Sequence, residues 1–401
     1  MNSFKAVKIS EKVYWVGVID WEIRDFHGYS TSRGTSYNAY LILGEKPVLI
    51  DTVKAPFFSE MMARISSVID PAKICYIISN HAEMDHSGCL LQTIATVNPE
   101  KVFASKMGVQ ALKDHFHTNY PIQEITNEAE FILGDAKFIS LETRMLHWPD
   151  SMFTYLVNDQ ILFSQDGFGM HFATTNLFAD QNELAILHRE AAKYFANILL
   201  PYSQFVTNLL NKFSAYKFDL KMIAPDHGPI WRGAKDINFI IEKWTNWALQ
   251  KPSAKAIIIY DTMWHSTALM ASAIAGGIAS ENAQVKILPL SGSHRSDVAT
   301  ELLEAGALLV GSPTINQQMF PTVADVICYL KGLKRKNLIG QAFGSYGWAG
   351  EAIKLIQAEL KYMNIELAGE AVKAKYVPTE ESLLNCNLLG QKIGKILCTQ
   401  I

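Results

Sequence analysis

Asn80-His81-Ala82-Glu83-Met84-Asp85-His86-Ser87-Gly88 decides the reading of this chain. Four potential metal ligands fall between positions 81 and 86, directly after the apolar run Ile74-Cys75-Tyr76-Ile77-Ile78-Ser79. That run reads as a buried strand, and a loop at a strand end can splay alternate side chains toward one point. Neutral imidazole and carboxylate both ligate divalent first-row metals. Two histidines and two carboxylates already fill one tetrahedral site. Further candidates follow, so two ions are expected, at a spacing of about 3.5–4 Å that one carboxylate can bridge. A surface loop can carry the same residues for solvation alone. The company they keep argues otherwise. His147 sits in Leu146-His147-Trp148-Pro149-Asp150, Asp166 follows a strand-like run, and His227 lies in the tight turn Pro225-Asp226-His227-Gly228.

Outward from this loop, short strands alternate with helices. Residues 13–18, 36–43 and 47–51 read as strands, the last two joined by Gly44-Glu45-Lys46. Residues 156–164 read as strand-like runs about an Asn158-Asp159 turn, and 222–224 as a short strand. Residues 183–210 read as mostly helical, broken at Pro201, and 237–249 as a helix. The polar, proline-containing stretch 250–255 reads as the boundary of a second domain. Beyond it the strands become continuous apolar runs at 256–260, 285–290, 307–311 and 337–343, each leading into a helix. That is the pattern of a parallel sheet covered on both faces.

The composition narrows the function. With 401 residues, more than one domain is expected. Hydrophobic residues make up 49%, charged residues 19%, and the formal net charge is -3, so neither nucleic acid nor an acidic membrane surface is called for. No run reaches the roughly 18 apolar residues of a membrane span. Met1-Asn2-Ser3-Phe4-Lys5 opens no signal-peptide core, so a cytoplasmic protein is expected. The five cysteines are odd in number and show no C-x-x-C spacing, which argues against a disulfide framework and against a rubredoxin-type centre within this chain.

Two features of the second half suggest a cofactor. The loop Thr262-Met263-Trp264-His265-Ser266-Thr267 precedes a helix, where free N–H groups and the helix dipole favour an anion such as phosphate. A hydroxyl-rich helix cap is the plainer reading of the same residues. Pro313-Thr314-Ile315-Asn316 and Ser345-Tyr346-Gly347-Trp348-Ala349-Gly350 follow later strands, where a doubly wound sheet binds its ligand. Tyr346 and Trp348 can stack on a planar ring. No Gly-x-Gly-x-x-Gly opens the domain, which argues against a dinucleotide.

The run His81-x-Glu83-x-Asp85-His86, with His147, Asp166 and His227, resembles the metallo-β-lactamase-like superfamily, whose first motif is usually His-x-His-x-Asp-His and binds zinc. Here Glu83 replaces the second His and moves preference toward a harder, redox-active metal. Together with the three later loops, including an altered first loop in which Trp264 and His265 replace the central residues of the flavodoxin motif, the chain resembles the flavodiiron proteins, or A-type flavoproteins, over nearly its whole length. The resemblance implies an α/β chain with two parts. Residues 1–250 would form a metallo-β-lactamase-like αββα sandwich, and 255–401 a flavodoxin-like doubly wound parallel sheet. It implies one iron held by His81, Glu83 and His147, a second held by Asp85, His86 and His227, and Asp166 bridging them. It also implies FMN on the three loops.

His27 and Tyr194 resemble family segments near the active-site rim; a structural His and a packing aromatic are the plainer alternatives. Asp226 reads as a turn or supporting residue, Trp148 as packing, and His115, His117, His171, His188 and His294 as structural. The implied reaction takes dioxygen to water, nitric oxide to nitrous oxide, or both. Electrons would come from an external rubredoxin or reduced deazaflavin through the flavin, and the resemblance also implies a head-to-tail homodimer or a dimer of dimers. Two other readings stand beside it: a zinc hydrolase, and an electron carrier or gas sensor without turnover.

Overall fold

The computed structural model describes residues 4–216 and 218–399, so Met1-Asn2-Ser3 of the N-terminal run read above lie outside the described residues. The chain divides into two compact units. The first comprises Met1–His27, Thr31–Tyr194 and Gln204–Thr245; the second comprises Gly28–Ser30, Phe195–Ser203 and Asn246–Ile401.

The first unit contains a seven-stranded and a six-stranded sheet. The seven-stranded sheet runs Val7–Lys8, Val13–Trp15, Tyr40–Ile42, Val48–Ile50, Tyr76–Ser79, Lys101–Ala104 and Ile122–Glu124 in spatial order. Period-two alternation sorts its side chains onto two faces. Tyr40, Ile42, Val48, Ile50 and Ile78 pack with Phe138, Met152, Leu156 and Phe163 of the other sheet. Leu41, Leu49, Ile77 and Val102 pack instead with Met61, Ile65, Leu90, Ile94 and Leu112 from three helices. The six-stranded sheet runs Glu130–Leu133, Ala136–Glu142, Met152–Leu156, Ile161–Phe163, Met222–Ala224 and Trp231–Arg232. Its Phe153 meets Phe213 of the helix Ser203–Tyr216 on the outer face. Helices therefore flank two facing sheets, an αββα sandwich.

Two expected strands are interrupted. The run 13–18 forms Val13–Trp15 and Val18–Asp20, and 36–43 forms Thr35–Tyr37 and Tyr40–Ile42. The cause is Asn38. Its backbone N–H donates to Asp226 O (2.7 Å), and its side-chain amide donates to Pro225 O (2.7 Å) and Gly228 O (2.9 Å). Pairing continues in a separate ribbon, Val18–Asp20 against Thr35–Tyr37. The long helical stretch expected at 183–210 is the helix Leu184–Tyr194, a π turn Phe195–Leu199, a 3-10 turn Leu200–Tyr202 holding Pro201, and the helix from Ser203 onward.

The second unit carries a sheet in the order Gln284–Pro289, Ser253–Tyr260, Ala305–Gly311, Ile339–Tyr346 and Glu366–Leu367, with Val372–Lys375 also pairing with Ile339–Tyr346. All these pairings are parallel. The order 2-1-3-4-5 is that of flavodoxin-like sheets. Ile258 and Leu309 pack against the helices Ser266–Ser280 and Glu380–Thr399, while Ile257, Ile259, Leu308 and Val310 are buried on the opposite face. The polar stretch 250–255 is only partly a connection, because the strand Ser253–Tyr260 begins inside it. Ser253 N–H donates to Glu304 O at 3.1 Å, which draws this polar entry into the sheet. Among the described residues, no helix is long and apolar enough to cross a membrane.

Candidate metal centre and cofactor cavity

Strand ends deliver the candidate ligands. Tyr76–Ser79 leads to His81, and Glu83 precedes the one-turn helix Met84–Ser87 that holds Asp85 and His86. Asp51 pins this loop by accepting from Asn80 N–H (2.6 Å) and the Asn80 amide (2.8 Å). Ile161–Phe163 and Met222–Ala224 pair in parallel, so the loops bearing Asp166 and His227 leave the sheet at the same edge. Gly228 takes φ +74 after His227, and a Cβ there would lie 2.7 Å from Met170 Cγ. Glycine thus permits the tight turn.

Asp166 stands at the middle. Its Oδ2 lies 3.1 Å from His147 Nε2 and 3.4 Å from His81 Nε2, while Oδ1 lies 3.1 Å from His86 Nε2 and 3.4 Å from His227 Nε2. Glu83 Oε2 completes the first set, 3.0 Å from His147 Nε2 and 3.3 Å from His81 Nε2. Asp85 completes the second, 3.4 Å from His86 Nε2 and 3.2 Å from His227 Nε2. The seven residues therefore fall into two clusters with one oxygen of Asp166 toward each. Ligand atoms about 2.1 Å from a common ion, at angles of about 90–110°, would be spaced about 3.0–3.4 Å apart. The donor set fits two cations on a second count as well. Both carboxylate oxygens of Asp85 and Oδ2 of Asp166 are buried without a hydrogen-bond partner among the described residues, an arrangement that is costly unless a cation neutralises it.

Supporting groups fix the imidazole orientations. The Nδ1–H of His81 donates to Asp150 Oδ2 (2.9 Å), which also accepts from Ala82 N–H (2.6 Å). His227 Nδ1–H donates to Ser36 O (2.7 Å), whereas Asp226 Oδ2 stands 3.3 Å from His86 Nδ1 without a hydrogen bond between them. Each ring then presents Nε2 inward, as a metal-bound imidazole requires. Burial opposes charge on His147, but Asp166 and Glu83 outweigh it and push its pKa up to about 9. His86 is likewise penalised by burial, yet Asp85 and Asp166 raise it to about 10. Asp166 is held well below the usual carboxylate range, since His86 and His147 overcome the cost of its burial. So many opposed charges in a dry site are a mark of function.

The remaining candidates differ in placement. His27 is exposed at φ +54, with Nε2 3.6 Å from Glu83 Oε1, and it lines a cavity of about 560 Å³ that also touches Glu83 and Asp85. Tyr194 is fully buried, its ring 5.1 Å from His171 and 6.0 Å from His227, at the last residue before the π turn. His171 is closer to the centre than its structural reading suggested: its ring lies 4.6 Å from His227, and Nδ1 is 2.9 Å from Thr35 Oγ1. It belongs to neither ligand cluster. Trp148 packs edge-on to His81 at 5.3 Å. Asp150 and Thr35 carried no role in the sequence. For Asp150 the available signal was its place three residues after His147.

In the second unit, a cavity of about 730 Å³ opens beyond the strand ends. Met263, Trp264 and Ser266 line it from the first loop, Pro313, Thr314, Ile315 and Asn316 from the second, and Ser345, Tyr346, Gly347, Trp348 and Ala349 from the third. Thr262, His265, Thr267 and Gly350 stand outside the lining. The Thr262 hydroxyl accepts from Ala268 N–H at 3.4 Å, and Thr267 Oγ1 lies 3.4 Å from Ser345 Oγ. Trp264 and His265 both have left-handed backbones, at φ +51 and +62, which shape the turn into the helix Ser266–Ser280. Glu351, which closes the third loop, also lines the cavity, and sequence reasoning missed Gln317, Tyr376 and Val377. The last two follow the strand Val372–Lys375, which pairing with Ile339–Tyr346 brings to the same edge. The apolar, aromatic wall with scattered hydroxyls and amides suits FMN.

The family model described as "ODP family beta lactamase" matches residues 35–228, and the one described as "Flavodoxin" matches residues 258–387. The chain is 43% identical to a nitric oxide reductase of Moorella thermoacetica, over 97% of this chain and 98% of that one. It is 41% identical to a rubredoxin-oxygen oxidoreductase of Megalodesulfovibrio gigas, over 98% of each. Among solved structures it superposes on a rubredoxin oxygen:oxidoreductase from Desulfovibrio gigas with a TM-score of 0.97 at 40% identity, covering 99% of both chains. It superposes on a flavodiiron protein from Giardia intestinalis with a TM-score of 0.93 at 32% identity, covering 98% of this chain and 97% of that one.

Proposed function

The chain belongs to the flavodiiron protein family and is an oxidoreductase with FMN and a di-iron site, and from that premise we propose that it reduces dioxygen to water, nitric oxide to nitrous oxide, or both. One observation carries the reading: the two oxygens of Asp166 face two separate ligand clusters. We assign one iron to His81, Glu83 and His147, the other to Asp85, His86 and His227, and the bridge to Asp166. When bound, the irons supply open coordination positions for a diatomic gas and the flavin supplies electrons.

The chain's own residues do the rest. Asp150 and the Ser36 carbonyl orient the His81 and His227 imidazoles. The buried walls around Tyr194 and His171 keep bulk water from the centre. His27 stands where it can hold a proton at the mouth of the cavity beside Glu83. Met263, Trp264, Ser266 and the two later loops hold the flavin. Rubredoxin is the proposed donor, with reduced deazaflavin as the alternative, and the cytoplasm is the proposed setting. Trp264 is 92% exposed and Trp348 89% at the flavin cavity, which supports cover by a second chain in a head-to-tail dimer.

The test is steady-state turnover with chemically reduced rubredoxin, supplied in turn with dioxygen and nitric oxide, on protein verified to hold iron and flavin. Sustained consumption of either gas is expected. Negligible turnover with both would overturn the reading in favour of a carrier or sensor.

A further inference from the structure

The wall of the flavin cavity holds one charged side chain, Glu351, among the residues that line it. Its other polar groups belong to Ser266, Thr314, Asn316, Gln317, Ser345 and tyrosine hydroxyls, each able to donate. A carboxylate can only accept. Oε2 of Glu351 is out of solvent and has no hydrogen-bond partner among the described residues. Glu351 begins the helix Glu351–Tyr362 directly after Gly350, so its charge sits at a helix N-terminus that favours an anion. The sealed Oε2 is turned away from the cavity, and the oxygen left to meet a ligand there is Oε1.

The oxidised isoalloxazine ring has a single N–H, on its imide edge. We propose that Glu351 accepts from that N–H and that its charge holds the flavin potential down. The proposal rests on FMN as the occupant of this cavity. Two-electron reduction takes two electrons and one proton near neutral pH and leaves the ring with a negative charge. A neighbouring carboxylate disfavours that product relative to the oxidised, neutral ring. The donor that supplies the electrons therefore meets a more reducing flavin than the same cavity would give without Glu351.

The experiment compares wild type with Glu351→Gln and Glu351→Ala. FMN is titrated into each apoprotein by fluorescence quenching, and each reloaded protein is then titrated potentiometrically at the flavin absorbance. A wild type that binds no FMN would refute the cofactor reading itself, separately from this inference. Glu351→Gln keeps an acceptor oxygen and drops the charge. Its FMN affinity should stay within about twofold, while its potential rises by about 30 mV, a tenfold gain in relative affinity for reduced flavin. Glu351→Ala should show the same rise and bind oxidised FMN about tenfold more weakly, with an apoprotein melting no lower than wild type because an unpaired buried acceptor has gone. A merely structural role predicts a lower apoprotein melting temperature and an unmoved potential. Unmoved potentials in both variants, or wild-type FMN affinity in Glu351→Ala, would overturn the proposal.

Discussion

Replacing Asp150 with Ala should loosen one iron and spare the other. Asp150 is 3% exposed, and one oxygen accepts from both His81 Nδ1–H (2.9 Å) and Ala82 N–H (2.6 Å). Truncation leaves two buried donors without a partner, each costing about 1–3 kcal/mol where water cannot enter. It also frees the His81 ring to rotate Nε2 away from Glu83 and Asp166. Losing a group that orients a metal-bound imidazole typically lowers metal affinity about 10–100-fold, or about 1.4–2.7 kcal/mol. The loss should be lopsided, since His227 of the other cluster keeps its own support in the Ser36 carbonyl. The assay is chelator competition on iron-loaded protein, with iron per chain and Mössbauer spectra followed together. Asp150→Ala should shed one iron at chelator concentrations where wild type keeps both. Asp150→Asn should fall between, because its amide oxygen can still accept from both donors. Simultaneous loss of both irons, or retention of both at the wild-type level, would refute the reasoning.

Other substitutions probe separate parts of the account. Asp166→Ala removes the oxygens that face both clusters and should impair both irons, to well below one per chain; near-normal iron content and activity would rule out the bridging assignment. Ser266→Ala should weaken FMN retention about fivefold, the value of one hydrogen bond of about 1 kcal/mol. An unchanged flavin-to-protein ratio after dilution would remove that hydroxyl from the flavin contacts. Burial raises the pKa of Glu301, but Lys255 and Lys286 outweigh it, so the net shift is downward. A lowered carboxyl pKa stabilises the fold above the unfolded value of about 4.3, and that contribution disappears as pH falls through the lowered pKa. Melting temperature should therefore fall more steeply in acid for wild type than for Glu301→Gln; parallel curves would dismiss the linkage.

The sequence exposed what is local. The four candidates between 81 and 86 follow one strand, and Asp166 and His227 each follow another, so their positions at the sheet edge could be read from apolar runs alone. The breaks at residues 16–17 and 38–39 could not, because Asn38 bends its strand to satisfy carbonyls nearly two hundred residues away. Asp150, Thr35 and His171 escaped for the same reason: a side chain supports a ligand only once the sheets have packed. The flavin loops were legible where they follow strands Ser253–Tyr260, Ala305–Gly311 and Ile339–Tyr346. Tyr376 and Val377 reach the same cavity through pairing of a late strand whose four residues, Val372–Lys375, alternate buried and exposed. So short a run carries little periodic signal.

The most direct test of the central claim is metal and flavin analysis of natively expressed protein. Two irons and one FMN per chain are expected. Two zincs with no flavin absorbance would contradict that claim.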